Sequence, residues 1–290
     1  LIQHNKSPVA EYRDRAQTIF TGYFLLYCAY MSWALKRQII YILIIILFFG
    51  GMGFLIAYPQ FTKAPTCMDG KQNGDETGVD CGGGCAKACI DQVDDVSVLW
   101  SRVFRVVPGR YNAVAYLVNH NENTVASKIN YRFRFADENN IYIGKRDGST
   151  YVPPAGNFAV FEPAIDMGNS TPVFVSFEFT EIPDWTFVSE TKVNQAKVLI
   201  SNIKLINEDT APKLSATVTN DSLFTIPDVN FIAILYDASR NAVSASSTYV
   251  DILNAEDVKN ITYTWPEKFD AKVVAQEIIP IYNIFSVKLK

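Results

Sequence analysis

Histidine is almost missing from this chain. Of 290 residues only His4 and His120 carry an imidazole, which removes histidine-based metal centres and Ser-His-Asp chemistry. Long basic stretches are also missing and the formal charge is −4, so the chain lacks the electrostatic footprint of a nucleic-acid binder and no nucleic-acid partner is expected. It has no Gly-rich phosphate loop, G-x-S-x-G elbow or H-E-x-x-H motif. The neighbouring carboxylates Asp94-Asp95, Asp137-Glu138 and Glu256-Asp257 are no substitute, because adjacent strand residues point to opposite faces and turn carboxylates are solvated. The chain therefore reads as non-catalytic and without a resident cofactor.

Charge is absent from Gln38 to Ala57 as well, a run that as a helix reaches about 30 Å, the thickness of a bilayer core. Lys36 and Arg37 stand directly before it, and the next charge is Lys63. By the positive-inside rule these two residues orient the segment. Residues 1–37 then form a cytoplasmic tail, 38–59 a transmembrane helix, and the rest lies outside the membrane. The first methionine is Met31, so residues 1–30 are expected to be translated upstream sequence, with Met31 as the start. The alternative is a second span over Ala16–Leu35 with Lys36-Arg37 as its loop; that loop is so short that a single span is preferred. Cys28, in the same region, has no evident partner.

Four of the five cysteines, Cys67, Cys81, Cys85 and Cys89, fall in one Gly-rich segment. An even count outside the membrane suggests two disulfides, with all three connectivities open. The segment has almost no apolar side chains, so cross-links would supply its order. A four-cysteine zinc site fits poorly, since Cys81, Cys85 and Cys89 are bunched and Cys67 stands alone. Asp69, Asn73, Asp75, Glu76 and Asp80 are candidate oxygen ligands for Ca²⁺, but their spacing is not that of an EF-hand loop. As acidic residues in a Gly-rich turn they read first as solvated or capping groups.

The same run, CMDGKQNGDETGVDCGGGCAKAC, resembles a segment of the form C-x-D-G-x-x-N-G-x-E-T-G-x-D-C-G-G-x-C-x-x-C that recurs in secreted and surface proteins, largely bacterial ones. Residues Cys67, Asp69, Gly70, Asn73, Gly74, Glu76, Thr77, Gly78, Asp80, Cys81, Gly82, Gly83 and Cys85 match, with Cys89 one position late. The resemblance implies an extracellular spacer, here residues 60–92, and no activity.

From about Asp94 the pattern changes to short runs rich in Val, Ile, Phe, Tyr and Thr, punctuated by turn residues, as in antiparallel sandwiches. Two stretches repeat. Asn130-Tyr-Arg-Phe-Arg-Phe-Ala-Asp137 parallels Asn230-Phe-Ile-Ala-Ile-Leu-Tyr-Asp237, and Ser149-Thr-Tyr-Val152 recurs as Ser247-Thr-Tyr-Val250. The order of these matches predicts a duplicated domain, over 93–192 and 193–290. The second copy, with Val218-Thr-Asn220 and Ile234-Leu-Tyr-Asp237, resembles the FxLYD-type Ig-like domains of bacterial envelope proteins. The first keeps Val118-Asn119 and Phe135-Ala-Asp137, with Ala136 in place of the aromatic. That resemblance implies a β-sandwich without naming a ligand.

The expected fold is therefore mainly β: two tandem Ig-like antiparallel β-sandwiches after one N-terminal transmembrane α-helix. The function implied is a single-pass surface protein whose partners are the lipid bilayer and an envelope or surface protein; the alternative is an accessory subunit of a membrane machine. Trp100, Trp185 and Trp265 are read as covering sandwich cores ahead of any carbohydrate role. Sequons stand at Asn169, Asn220 and Asn260.

Overall fold

Leucine, isoleucine and phenylalanine without a polar stripe favour a helix apolar on every side, and this is the first of two units, divided at Ala64/Pro65. The computed structural model describes residues 32–61 and 66–289. In the first unit α1 (Trp33–Phe61) is long and apolar enough to cross a membrane, and the chain buries none of its apolar span. It begins five residues before the expected start and carries Lys36 and Arg37 within its first two turns. Arg37 donates to the Tyr41 hydroxyl at 3.1 Å and lies over the Trp33 ring, 4.7 Å from its centroid. These three residues share one face at i, i+4 and i+8. Because Lys36 and Arg37 are helical, they are not the loop of a helical hairpin. The rest of the second-span reading, the Met31 start and Cys28 lie outside the described residues.

The second unit is mainly β. Its first seven strands are β1 (Ser97–Val107), β2 (Arg110–Asn119), β3 (Thr124–Ala136), β4 (Tyr142–Val152), β5 (Gly156–Asp166), β6 (Phe174–Phe179) and β7 (Trp185–Phe187). They form a sheet β1-β2-β5 facing a sheet β4-β3-β6, with β7 added to β3, all antiparallel. After a single turn of helix, α2 (Glu190–Val193), come β8 (Val198–Ile206), β9 (Lys213–Asn220), β10 (Phe224–Tyr236), β11 (Ala242–Leu253), β12 (Val258–Thr264), β13 (Ala275–Ile281) and β14 (Lys288–Leu289). Their sheets, β8-β9-β12 and β11-β10-β13 with β14 on β10, copy the first set strand for strand. The duplicated stretches become β3 and β10, the central strands of equivalent sheets.

Alternation explains the first sandwich core. Tyr131, Phe133 and Phe135 point inward and are nearly or fully buried, while Arg132 and Arg134 point out and pair with Asp147 and Glu178. The corresponding strand β10 does not alternate: Phe231, Ala233 and Leu235 fill their own core, yet Ile232 and Ile234 on the opposite face are equally buried. They belong to a cluster shared with the first sandwich, together with Ala245, Ile279, Ile281 and Ile284. The outer face of β11-β10-β13 is thus packed on the outer face of β1-β2-β5, giving four stacked sheets. A strand buried on both faces reads as a continuous apolar run, and Phe231 to Tyr236 is one.

Candidate functional site

Two places carry side chains with functional chemistry, the cysteine-rich segment and the junction between the sandwiches. The four cysteines pair as Cys67–Cys85 and Cys81–Cys89, first to third and second to fourth. The turn between them needs Gly83, at φ +58°, since a Cβ there would sit 1.7 Å from the Asp75 carbonyl oxygen.

The structure draws most of the five candidate calcium ligands inward, as capping groups. Asp80 accepts from the Asp69 and Gly70 amides at 2.9–3.0 Å. Asp69 accepts from the Lys71 amide and from Asn73 Nδ2. The bond from Asn73 is the main reason that the Asp69 carboxyl is held below the usual range. Glu76 accepts from the Asn73 amide at 3.2 Å. Asn73 Oδ1 is buried with no partner among the described residues and, with Glu76, lines a cavity of about 210 Å³ beside Cys67 and Cys85. Sulfur and carboxylate atoms of Cys67, Glu76 and Cys85 cluster within 4.8 Å, but those two sulfurs are bonded to each other, so neither is a thiolate that could ligate a metal.

This segment is more than a spacer at its C-terminal end. The Ala88 amide donates to the Trp185 carbonyl at 2.9 Å and the Phe187 amide to Ala86 at 2.7 Å, so residues 86–88 pair with β7. Ala88 joins the hydrophobic cluster that holds Trp185 and Val188. The Asn121 side chain both accepts from the Asp94 amide and donates to its carbonyl, at 2.8 Å each. The Cys-rich knot is docked onto the first sandwich.

The junction is held by polar groups that the sequence reading did not single out. Glu277 on β13 accepts from the Tyr116 hydroxyl of the first sandwich and the Tyr236 hydroxyl of the second, both at 2.8 Å. Tyr116 stacks on Trp100 at 5.3 Å. Burial first, and then the proton it shares with Glu277, push Tyr116 up to about 12; the same causes raise Tyr236. Arg102 reaches the Ala242 carbonyl and Asn241 at 3.0–3.1 Å, and Asn112 donates to Ala245. Arg105 pairs with Glu267 at 3.1 Å. The available signal was the pair of unbroken apolar runs in β2 and β10.

The repeat motifs turn out to be structural. Asn119 and Asn220 are buried, and their amides donate to backbone carbonyls at both ends of the adjoining turns. Asn220 is thereby occupied, whereas Asn169 and Asn260 are exposed. Asp137 and Asp237 cap the turns after β3 and β10 through backbone amides two and four residues on. A buried carboxylate, Glu162, accepts from Tyr131 and Arg146 at 2.8 and 2.9 Å. Gly148 leaves room for it, since a Cβ there would meet Glu162 and Tyr131 oxygens at 2.5 Å. Of the three tryptophans of the β-rich unit, Trp185 lies in the first core, Trp265 in the second, and Trp100 at the junction.

No family model matches this sequence, and no curated protein matches it. Solved structures with some likeness include red sea bream transglutaminase (8% identity, 64% of this chain and 31% of that one, TM-score 0.20). Another is calcium binding domain CBD12 of CALX1.1 (12%, 63% and 80%, TM-score 0.19). A third is a beta-glucuronidase from glycoside hydrolase family 2 (9%, 76% and 29%, TM-score 0.18). The chain spans under a third of the transglutaminase and of the glucuronidase, and likeness at this level carries no functional argument.

Proposed function

We propose that this chain is a non-catalytic, single-pass membrane protein of a bacterial cell envelope, which holds its disulfide-bonded knot and tandem FxLYD-type Ig-like domains outside the bilayer for protein binding, adhesion or spacing. The observation that carries the reading is α1, whose span of 24 residues is apolar and left unburied by the chain. In water that surface would cost about 25 cal/mol for each Å² exposed, which a bilayer removes. Lys36 and Arg37 at its start favour a cytoplasmic N-terminus, and two disulfides suit an oxidising exterior. The stacked sandwiches support a spacing role, because a body fused across an apolar junction transmits position better than domains on a flexible linker.

Protease added to intact cells tests the topology. The expected outcome is loss of the β-rich region, with an α1-bearing fragment that stays in the membrane through alkaline carbonate. A fully protected β region, or release of the fragment by carbonate, would overturn the proposal.

A further inference from the structure

The two disulfides of the knot differ in what surrounds them. Cys81–Cys89 is shielded: Cys89 is 4% exposed, and a Cβ on Gly78 would lie 2.7–2.8 Å from both sulfurs, so the Gly78 backbone covers the bond. Cys89 also follows Ala88, which is buried in the first core and hydrogen-bonded to Trp185. Cys67–Cys85 is open at one end, because Cys67 is exposed while Cys85 is buried. Thiol–disulfide exchange needs a thiolate to reach a sulfur, and here that sulfur is Cys67 Sγ. The Glu76 carboxylate stands 3.4 Å from Cys85 Sγ, where it opposes the charge that Cys85 would carry on leaving.

The accessible bond also controls length. Cys67 and Cys85 are 18 residues apart in sequence, yet their Cα atoms are 5.6 Å apart. Residues 67–81 bury no side chain, so no core stands in for the cross-link. Their loop is otherwise closed by exposed hydrogen bonds, chiefly those from the Asp69 and Gly70 amides to Asp80. Extended, the same residues reach up to about 45 Å. We infer that Cys67–Cys85 is a reducible clasp on the segment joining α1 to the sandwiches, opened by a dithiol while Cys81–Cys89 keeps the C-terminal end of the knot docked on β7. One thiolate of the dithiol attacks Cys67 Sγ, and Cys85 departs as a thiolate that takes up a proton. The second thiol then displaces Cys67, leaving two cysteine thiols and the reductant as its disulfide. The clasp deepens the spacing role proposed above and rests on it, since the released length lies between the membrane helix and the domains it carries.

The test uses the full chain in nanodiscs, with dithiothreitol as the dithiol. Alkylation and mass spectrometry follow each cysteine pair, and trypsin reports cleavage after Lys71, inside the released segment. Reach is read by energy transfer to acceptor lipids from a donor on a non-natural amino acid replacing the exposed Glu122. We expect Cys67–Cys85 to open about tenfold faster than Cys81–Cys89, as access to the sulfur dictates. Lys71 cleavage should then quicken and energy transfer weaken. The double variant Cys67→Ser, Cys85→Ser should show both changes without reductant and keep the β-sheet circular dichroism of the wild type. Glu76→Gln should open the clasp up to about fivefold faster, the effect of one unit charge about 4 Å away in water. Simultaneous opening of the two disulfides would overturn the inference, and so would unchanged Lys71 cleavage or energy transfer in a disc-bound chain whose clasp is open. If the disc does not hold α1, the membrane reading fails by itself, while alkylation and cleavage still judge the clasp.

Discussion

Glu277 holds the two sandwiches together by accepting from one tyrosine of each, Tyr116 and Tyr236. Both hydroxyls must keep their protons for these bonds to exist, and this gives the junction a pH dependence with a definite sign. Below about pH 10 tyrosine is neutral in the folded and the unfolded chain alike, and the contribution is complete. As pH rises from there toward the folded value of about 12 for Tyr116, the unfolded tyrosine ionises while the folded one does not, and stability falls. Urea midpoints measured from about pH 9 to pH 11.5 should drop in the wild type and drop less steeply in Tyr116→Phe, which has no proton to lose at that site. Parallel slopes in the two proteins would remove Tyr116 from the account. The repeated Asn220 and Asp237 act more locally, tying down turns through backbone groups.

At the scale of the element, the two copies differ where their surroundings differ. On β3 the outward positions are Arg132 and Arg134; on β10 they are Ile232 and Ile234. The reverse contrast holds on the other sheet, where Val114 and Tyr116 of β2 face the junction and Ser215 and Thr217 of β9 face outward. Each copy therefore has one apolar outer face and the two meet, while the central strands β3 and β9 at the ends of the stack present Arg132, Arg134, Ser215 and Thr217 outward. Replacing Ile232 and Ile234 together by Arg gives β10 the outward residues of β3. Each buried isoleucine contributes about 1.5–3 kcal/mol, and the new charges would be buried unpaired, so the stack should open without unfolding either core. The measurement is limited proteolysis of the connection around Glu190–Val193, which should become markedly faster than in the wild type. The strands themselves were legible in the sequence, and so was the duplication. The stacking was legible only in part, because an unbroken apolar run shows that both faces are covered and not what covers them.

At the scale of the whole molecule, the second sandwich covers a surface that the first cannot leave bare. A chain ending at Thr191 should expose Trp100, Val114 and Tyr116 together and self-associate, seen by light scattering at concentrations where the full chain stays monodisperse; a monodisperse truncated chain would refute this. The sequence by itself determined the local and periodic properties: a helix with no polar face, strands with period two, a knot with four cysteines, and two copies of one pattern. Those properties follow from neighbours along the chain, which any reading of spacing captures. Tertiary structure decided the disulfide pairing, the docking of residues 86–88 onto β7 and the face-to-face stack. The docking and the stack depend on groups far apart in the chain (Ala88 and Trp185, or Tyr116 and Glu277), and hydrophobicity, which has no direction, leaves the partner of an apolar face unspecified until packing selects it.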